Sequence, residues 1–397
     1  HSHAHQLGID LFALGREMLV DLGYMGAGHV MRNVWMNRTI AHNTVTVDER
    51  PQDFDAGDPG GRLLAFGVTP ACSLVEAESP GCYEQLETYR RLTALIELSG
   101  GCYAADFFDV AGGHRHDYAL LGLSAQCETE RGDDCAISGT LAGTNVPYPR
   151  AGDLDTGRRT PENGYKFVHN LRLVPPESKE GMERVTWEFD EERRLDAYLR
   201  RAKGAELVLA DYPVLRGHLW SQDPDRLRKG KMAVLRHKAS GKCRSAFAAI
   251  LAPWRGERLV SAAAAEGSGG RALRVRHAGG EDLILRAGEG SAVAEGHETD
   301  AAFALVRRGA DARLLDLTCF GGTYLQTPEM RLEILGSPTA RIAGVDPEKR
   351  VLRLSRALAP PGILDGEFCL VRDSEKTYVY RISKFDERRA RVDASRA

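Results

Sequence analysis

ETYRRLTALIELSGGCYAADFFDVAGGHRHDYALLG, residues 87–122, decides how this chain folds. Three runs rich in β-branched and aromatic residues, YRRLTALIEL, CYAADFFDV and YALLG, are separated by glycine-rich breaks of the kind that join strands. Outward from this stretch the same texture repeats. TVTVD at 44–48, RVTWEF at 184–189 and AELVLA at 205–210 alternate or run apolar over five to seven residues. KMAVLRH, SAFAAILAPW, ALRVRHA, DLILRAG, AAFALVRRG and ARLLDLTCF continue it, at close to one strand per ten residues. Many short strands at even spacing predict an all-β chain, a large antiparallel β-sandwich. The best helix candidate is DEERRLDAYLRRAKG, though its apolar positions are few.

Two stretches read as loops, 131–164 and 221–231, the first long enough to be a functional excursion over a sheet face. Near residue 325 the texture changes to five or six short strands with tight Asp-Pro, Pro-Gly and Asp-Gly turns. The expected organisation is a sandwich domain over 1–325 and a smaller C-terminal β domain over 326–397.

The 397 residues are 43% apolar and 27% charged, ordinary for a globular protein with a large core. With 53 basic and 56 acidic side chains the net charge is −3, so no global field draws the chain to nucleic acid or to an anionic membrane. No apolar run approaches the roughly 18 residues that span a bilayer. Eight cysteines are scattered without a CxxC pair, which argues against a zinc knuckle. Cys127 with Cys135 is a local disulfide candidate, but buried thiols are the favoured reading in a chain this long.

The chemistry is concentrated in the first fifty residues. The chain opens HSHAH, then gives LVDLGY and NRTIAHNTVTVD. If the opening is extended, His1, His3 and His5 project from one face. Joined by Asp21 and His42 from the next two strands, they offer the nitrogen and oxygen ligands that zinc favours, with one histidine left for acid–base work. A solvated or adventitious histidine cluster is the competing reading. Against it, HQLGIDLFALGREMLVDLGY follows at once as two apolar strands joined by a Gly-Arg turn.

HSHAH, the LVDLGY strand and NRTIAHNTVTVD together resemble the C-terminal half of the heparinase II/III-like polysaccharide lyases, oligo-alginate lyases included. YRRLTALIELSGGCYAADFFDVAGGHRHDYALLG and RSAFAAILAPW are similar to later strands of that family, so the resemblance runs over roughly residues 1–325. It implies an α/α toroid followed by a β-supersandwich and often a small terminal β domain, with a substrate cleft between toroid and sandwich and a zinc ion beside the cleft. It implies a uronate-polysaccharide substrate of alginate or glycosaminoglycan type, β-elimination, a periplasmic or extracellular setting, and a possible homodimer. The toroid is not represented in this sequence, and that domain would contribute part of the catalytic machinery.

Carried over by position, the resemblance makes His3 the substrate-facing histidine and His5, Asp21 and His42 the Zn2+ ligands, with a His1/His3 register as the alternative. Elimination at C5 of a uronate needs a base, an acid for the departing O4 and a partner for the carboxylate. A glycosidase would instead want two flanking carboxylates, and no Asp/Glu pair stands out. Tyr24 joins His3 as a catalytic candidate, or else packs at a strand end. Arg38 is a candidate for the substrate carboxylate through its planar guanidinium, or else closes a turn. Asn43 and His116 are further substrate-binding candidates; Asn43 alternatively orients His42, His116 alternatively bonds to backbone, and His114 is weaker. A non-catalytic carbohydrate-binding sandwich with a structural zinc is the alternative function, and a mutarotase-like isomerase a third.

Overall fold

The computed structural model describes residues 4–23, 28–53, 60–132, 134–155, 162–175, 180–215, 224–266, 271–288, 290–333, 339–373 and 376–393. Among them there is no α-helix; the helical elements are single 3-10 turns and one π turn, Arg32–Met36. The all-β expectation holds.

The first sixteen strands run, in chain order, β1 Leu11–Ala13, β2 Arg16–Leu19, β3 Val45–Val47, β4 Arg62–Val68, β5 Cys72–Glu78, β6 Leu86–Leu98, β7 Gly101–Gly112 and β8 Arg115–Gly122. They continue with β9 Gln126–Thr129, β10 Cys135–Ala136, β11 His169–Val174, β12 Gly181–Glu188, β13 Arg193–Arg201, β14 Glu206–Val214, β15 Arg228–Lys238 and β16 Arg244–Arg255. Two antiparallel eight-stranded sheets result. The first has the order β1-β2-β8-β15-β14-β11-β10 with β3 also paired to β8; the second runs β4-β5-β6-β7-β16-β13-β12-β9.

These sheets lie face to face. Tyr118, Leu120, Leu207, Leu209, Ala233 and Leu235 of the first pack on Phe108, Leu195, Ala197, Phe247, Ala249 and Leu251 of the second. The alternate residues of the same strands are buried too. Ala119, Leu121, Val208, Ala210, Met232 and Val234 form the outer face of the first sheet, under a cover that includes Trp35, Met36, Ile40, Tyr165 and Phe167. The outer face of the second sheet, with Leu92, Phe107 and Ile250, packs on a third sheet through Leu273, Ile284 and Leu305. That third sheet spans Val260–Glu266 to Leu314–Phe320 and covers a fourth, Ala292–Ala294 to Arg331–Glu333, through Leu283, Leu285 and Val306. Strands buried on both sides explain why YALLG and AELVLA run apolar instead of alternating. A fifth, five-stranded sheet over Ile342–Asp393 has its own core of Leu352, Ile382, Phe385 and Val392.

The helix candidate in 190–204 is β13. Leu195, Ala197 and Leu199 face one layer while Asp196, Tyr198 and Arg200 face the other, a period of two. Its charges are matched across neighbours: Thr186 donates to Asp196 at 2.7 Å, and Arg200 donates to Glu180 at 2.6 Å. The β1–β2 turn is Leu14-Gly15, both with positive φ (52° and 78°), the twist a two-residue hairpin requires. The eight cysteines form no disulfide.

Candidate metal centre

Three segments of the opening fifty residues meet above the first sheet. β2 continues past Leu19, with the Val20 amide donating to Leu121 O at 3.2 Å, and delivers Asp21. The π turn Arg32–Met36 and the 3-10 turn Thr39–Ala41 then bring His42 in, extended (φ −133°), just before β3. His5 arrives on a turn closed by the Gly8 amide donating to His5 O at 2.9 Å. The described part of the opening, from Ala4, is therefore a bend and a turn and not a strand.

His5, Asp21 and His42 each offer one ligand atom, all within 4.8 Å of one another. His42 is buried, Asp21 partly so and His5 exposed, so the group opens on the His5 side. The imidazoles lie 5.0 Å apart between centroids, tilted by 32°. His42 Nε2 donates to the Met36 carbonyl at 2.9 Å, which turns Nδ1 toward Asp21 and makes it the ring's candidate ligand atom. Nδ1 in turn lies 3.5 Å from Asp21 Oδ2. Two ligands about 2.1 Å from a tetrahedral zinc stand about 3.4 Å apart, so this edge already has the spacing of a zinc site. The other Asp21 oxygen accepts the Gly23 amide at 2.7 Å. Burial works to raise the Asp21 carboxyl, but the His42 hydrogen bond and charge, the Gly23 amide and the charge of His5 hold it well below the ordinary carboxylate range. It is thus an anion facing two imidazoles, a donor set suited to zinc or a similar borderline cation.

The other sequence candidates are placed differently. His3 and Tyr24, like His1, lie outside the described residues. Arg38 is 8% exposed; its Nε donates to the Asn33 carbonyl, burial lowers its guanidinium pKa, and the charge of Glu162 opposes that. Asn43 is 1% exposed, and its amide is engaged inside the protein: Nδ2 donates to Ile9 O at 2.9 Å and Val20 O at 3.3 Å, and Oδ1 accepts the Leu121 amide at 2.7 Å. It straps the opening segment to β8. His116 does not join the group: it is fully buried, bonded through Nδ1 to Ser245 Oγ at 2.8 Å and through Nε2 to Gly112 O at 2.6 Å, which leaves no ring nitrogen for a ligand. His114 is exposed and bonded to Gly241 O at 3.0 Å. Two groups that sequence reading passed over are backbone ones, the Met36 carbonyl and the Gly23 amide. Only the second has a local signal, the Asp-x-Gly spacing of an Asx turn.

Residues 1–93 match the family described as heparinase II/III-like, C-terminal, a stretch that includes all three candidate ligands. The match covers under a quarter of the chain, and over that stretch the chain is similar to the heparinase II/III-like C-terminal family. No curated protein matches the sequence. Solved structures similar to this chain include the heparan sulfate lyase HepC from Pedobacter heparinus, with 14% identity over 72% of this chain and 37% of that one and a TM-score of 0.46. A heparinase III structure gives 15% identity over 71% of this chain and 35% of that one, again with a TM-score of 0.46. The chain spans little more than a third of the length of either structure.

Proposed function

We propose that this chain is the C-terminal, metal-holding part of a periplasmic or extracellular lyase that cleaves uronic-acid polysaccharides, of alginate or glycosaminoglycan type, by β-elimination. The observation that carries the reading is the convergence of His5, Asp21 and His42 within the segment that matches the family. In the reaction a base takes the C5 proton, the C5 electrons form the C4=C5 double bond, the C4–O4 bond breaks, and an acid protonates O4. His3 and Tyr24 are the proposed proton-transfer groups and Arg38 the proposed partner of the uronate carboxylate. Zinc, bound by His5, Asp21 and His42, would pin the opening segment and place positive charge beside an acidic sugar. Elimination uses no attacking water, so the chain's own task is to orient His3 and keep the limb that bears it in register. A helical N-terminal domain would complete the cleft.

The test is to incubate the chain, and the complete protein that carries it, with alginate, heparan sulfate and related glycans. Growth of near-ultraviolet absorbance from the new conjugated double bond is expected of the complete protein and not of this chain by itself. Binding without any such absorbance on every uronate polymer would replace this reading with that of a carbohydrate-binding sandwich holding a structural metal.

A further inference from the structure

We propose that Gln52 and Arg91 are positioning residues of the metal centre, side chains that hold the limb bearing His5 against the segment bearing His42. The inference rests on reading His5, Asp21 and His42 as a metal-binding group.

Gln6 and Leu7 lie in a turn and in no strand, and side chains hold their backbone. The Gln52 carboxamide takes the place of a neighbouring backbone: its Oε1 accepts the Gln6 amide at 2.6 Å, and its Nε2 donates to the Gln6 carbonyl at 3.1 Å. Thr44, two residues past His42, donates to the same carbonyl at 3.0 Å. Gln52 is 2% exposed and is itself fixed, its backbone amide donating to Thr39 Oγ1 at 2.7 Å and its Nε2 to Tyr89 OH at 2.8 Å.

Arg91 makes the second hold from inside the sandwich. One nitrogen, Nη1, donates to Leu7 O at 2.6 Å and to Asn43 O at 2.7 Å, bridging the two ligand-bearing segments. Nε and Nη2 grip Asp106 at 2.8 and 2.7 Å, and Asp106 also accepts from Tyr118 OH at 2.6 Å and Thr93 Oγ1 at 2.9 Å. The guanidinium fork is thereby locked in direction before it reaches the limb. Leu7 has φ +55°, a left-handed conformation that is unfavourable for an ordinary residue and persists only where the surroundings impose it. Its carbonyl is the one Arg91 holds. Gln6 and Leu7 are the two residues after His5, so these contacts fix where its imidazole stands. A ligand fixed in advance loses less freedom on binding, and partners that orient ligands are typically worth about 10- to 100-fold in metal affinity.

The experiment compares zinc affinity, by competition titration against a metal-sensitive dye, with the urea midpoint of the metal-free chain. Gln52→Met keeps the length and removes both hydrogen bonds to Gln6; Arg91→Lys keeps the charge beside Asp106 and loses the fork. Tyr103→Phe is the control, since Tyr103 OH donates to Asp282 at 2.7 Å between the second and third sheets, away from the limb. Gln52→Met and Arg91→Lys are expected to bind zinc about 10-fold or more weakly, and cobalt in place of zinc to give a weaker visible band. Tyr103→Phe is expected to lower the midpoint and bind zinc as wild type does. Should Arg91→Lys fail to fold, Gln52→Met decides. Zinc affinity in Gln52→Met within about twofold of wild type, or equal weakening in the control, overturns the inference while leaving the metal centre in place. A wild-type chain that takes up no zinc overturns the metal reading itself, and the inference with it.

Discussion

Asn43 offers a direct contest between a ligand contact and a strap. Removing its amide in Asn43→Ala strips partners from Ile9 O, Val20 O and the Leu121 amide. Ile9 is only partly buried, so water can reach its carbonyl, but Val20 and Leu121 are 1% and 0% exposed and stay dry. Each buried polar group left unpaired costs about 1–3 kcal/mol. Two of them set the loss at about 2–6 kcal/mol, and the long Val20 contact of 3.3 Å places it nearer 3 kcal/mol. With a urea dependence of about 3 kcal/mol per molar, the midpoint should fall by about 1 M. The assay is urea unfolding followed by tryptophan fluorescence, since Trp35 and Trp187 are buried on opposite faces of the first sheet. Asn43→Asp should fare no better. It keeps an acceptor for the Leu121 amide but turns a carboxylate oxygen onto two carbonyls in a dry site. A midpoint within about 0.2 M of wild type for Asn43→Ala, together with lost affinity for a uronate oligosaccharide, would refute the strap and restore Asn43 as a substrate contact.

Purified chain should carry about one zinc, reduced in His5→Ala and in Asp21→Ala when metal is counted by atomic emission; unchanged zinc in both variants rejects the ligand assignment. Gly122→Ala should lower the thermal midpoint by the equivalent of about 1–3 kcal/mol or more, because a Cβ there would stand 2.2 Å from Cδ1 of the fully buried Trp187, and a neutral result would mean that the two main sheets are not packed as described. Burial, with the charges of His116 and Arg200, pushes the His237 imidazole down to about 4, whereas an unfolded chain binds that proton near pH 6.5. Stability from this group is therefore whole above about pH 6.5 and declines as pH falls toward 4, so His237→Gln should flatten the pH dependence of the urea midpoint over that window; identical slopes would count against it. Asp117, buried against Arg236 and Arg115, is held below the carboxylate range despite its desolvation, so its share is present above about pH 4 and is withdrawn only in stronger acid, and Asp117→Asn should be less stable at pH 7 but relatively less affected at pH 3.

The strand texture was legible because a double-buried sheet forces apolar residues into runs bounded by turn formers, as in 87–122. It failed at β13, whose Arg and Asp residues look like a solvated helix face. What makes them strand residues is the charge and hydroxyl waiting on β12 and in the 180 region, contacts that no local window contains. At the centre, His5, Asp21 and His42 were legible by residue type, since few other patterns gather such donors. The strap role of Asn43 was not, whereas the backbone-bonded reading of His116 is the one its Gly112 contact bears out. A polar residue near a site reads the same in sequence whether it faces a ligand or a carbonyl, and only burial separates the two. Gln52 and Arg91 had no signal at all, because their work is done through the backbone of residues 6, 7 and 43.

The three candidate ligands differ in access, from exposed His5 to sealed His42. An ion seated among them would enter and leave past His5. Its residence time would then be set by how fast one imidazole swings aside, not by any opening of the sandwich. EDTA would strip such a site at a rate that levels off at the rate of that swing as its concentration is raised, and leave the β layers standing, so metal could be withdrawn and restored many times without a refolding step.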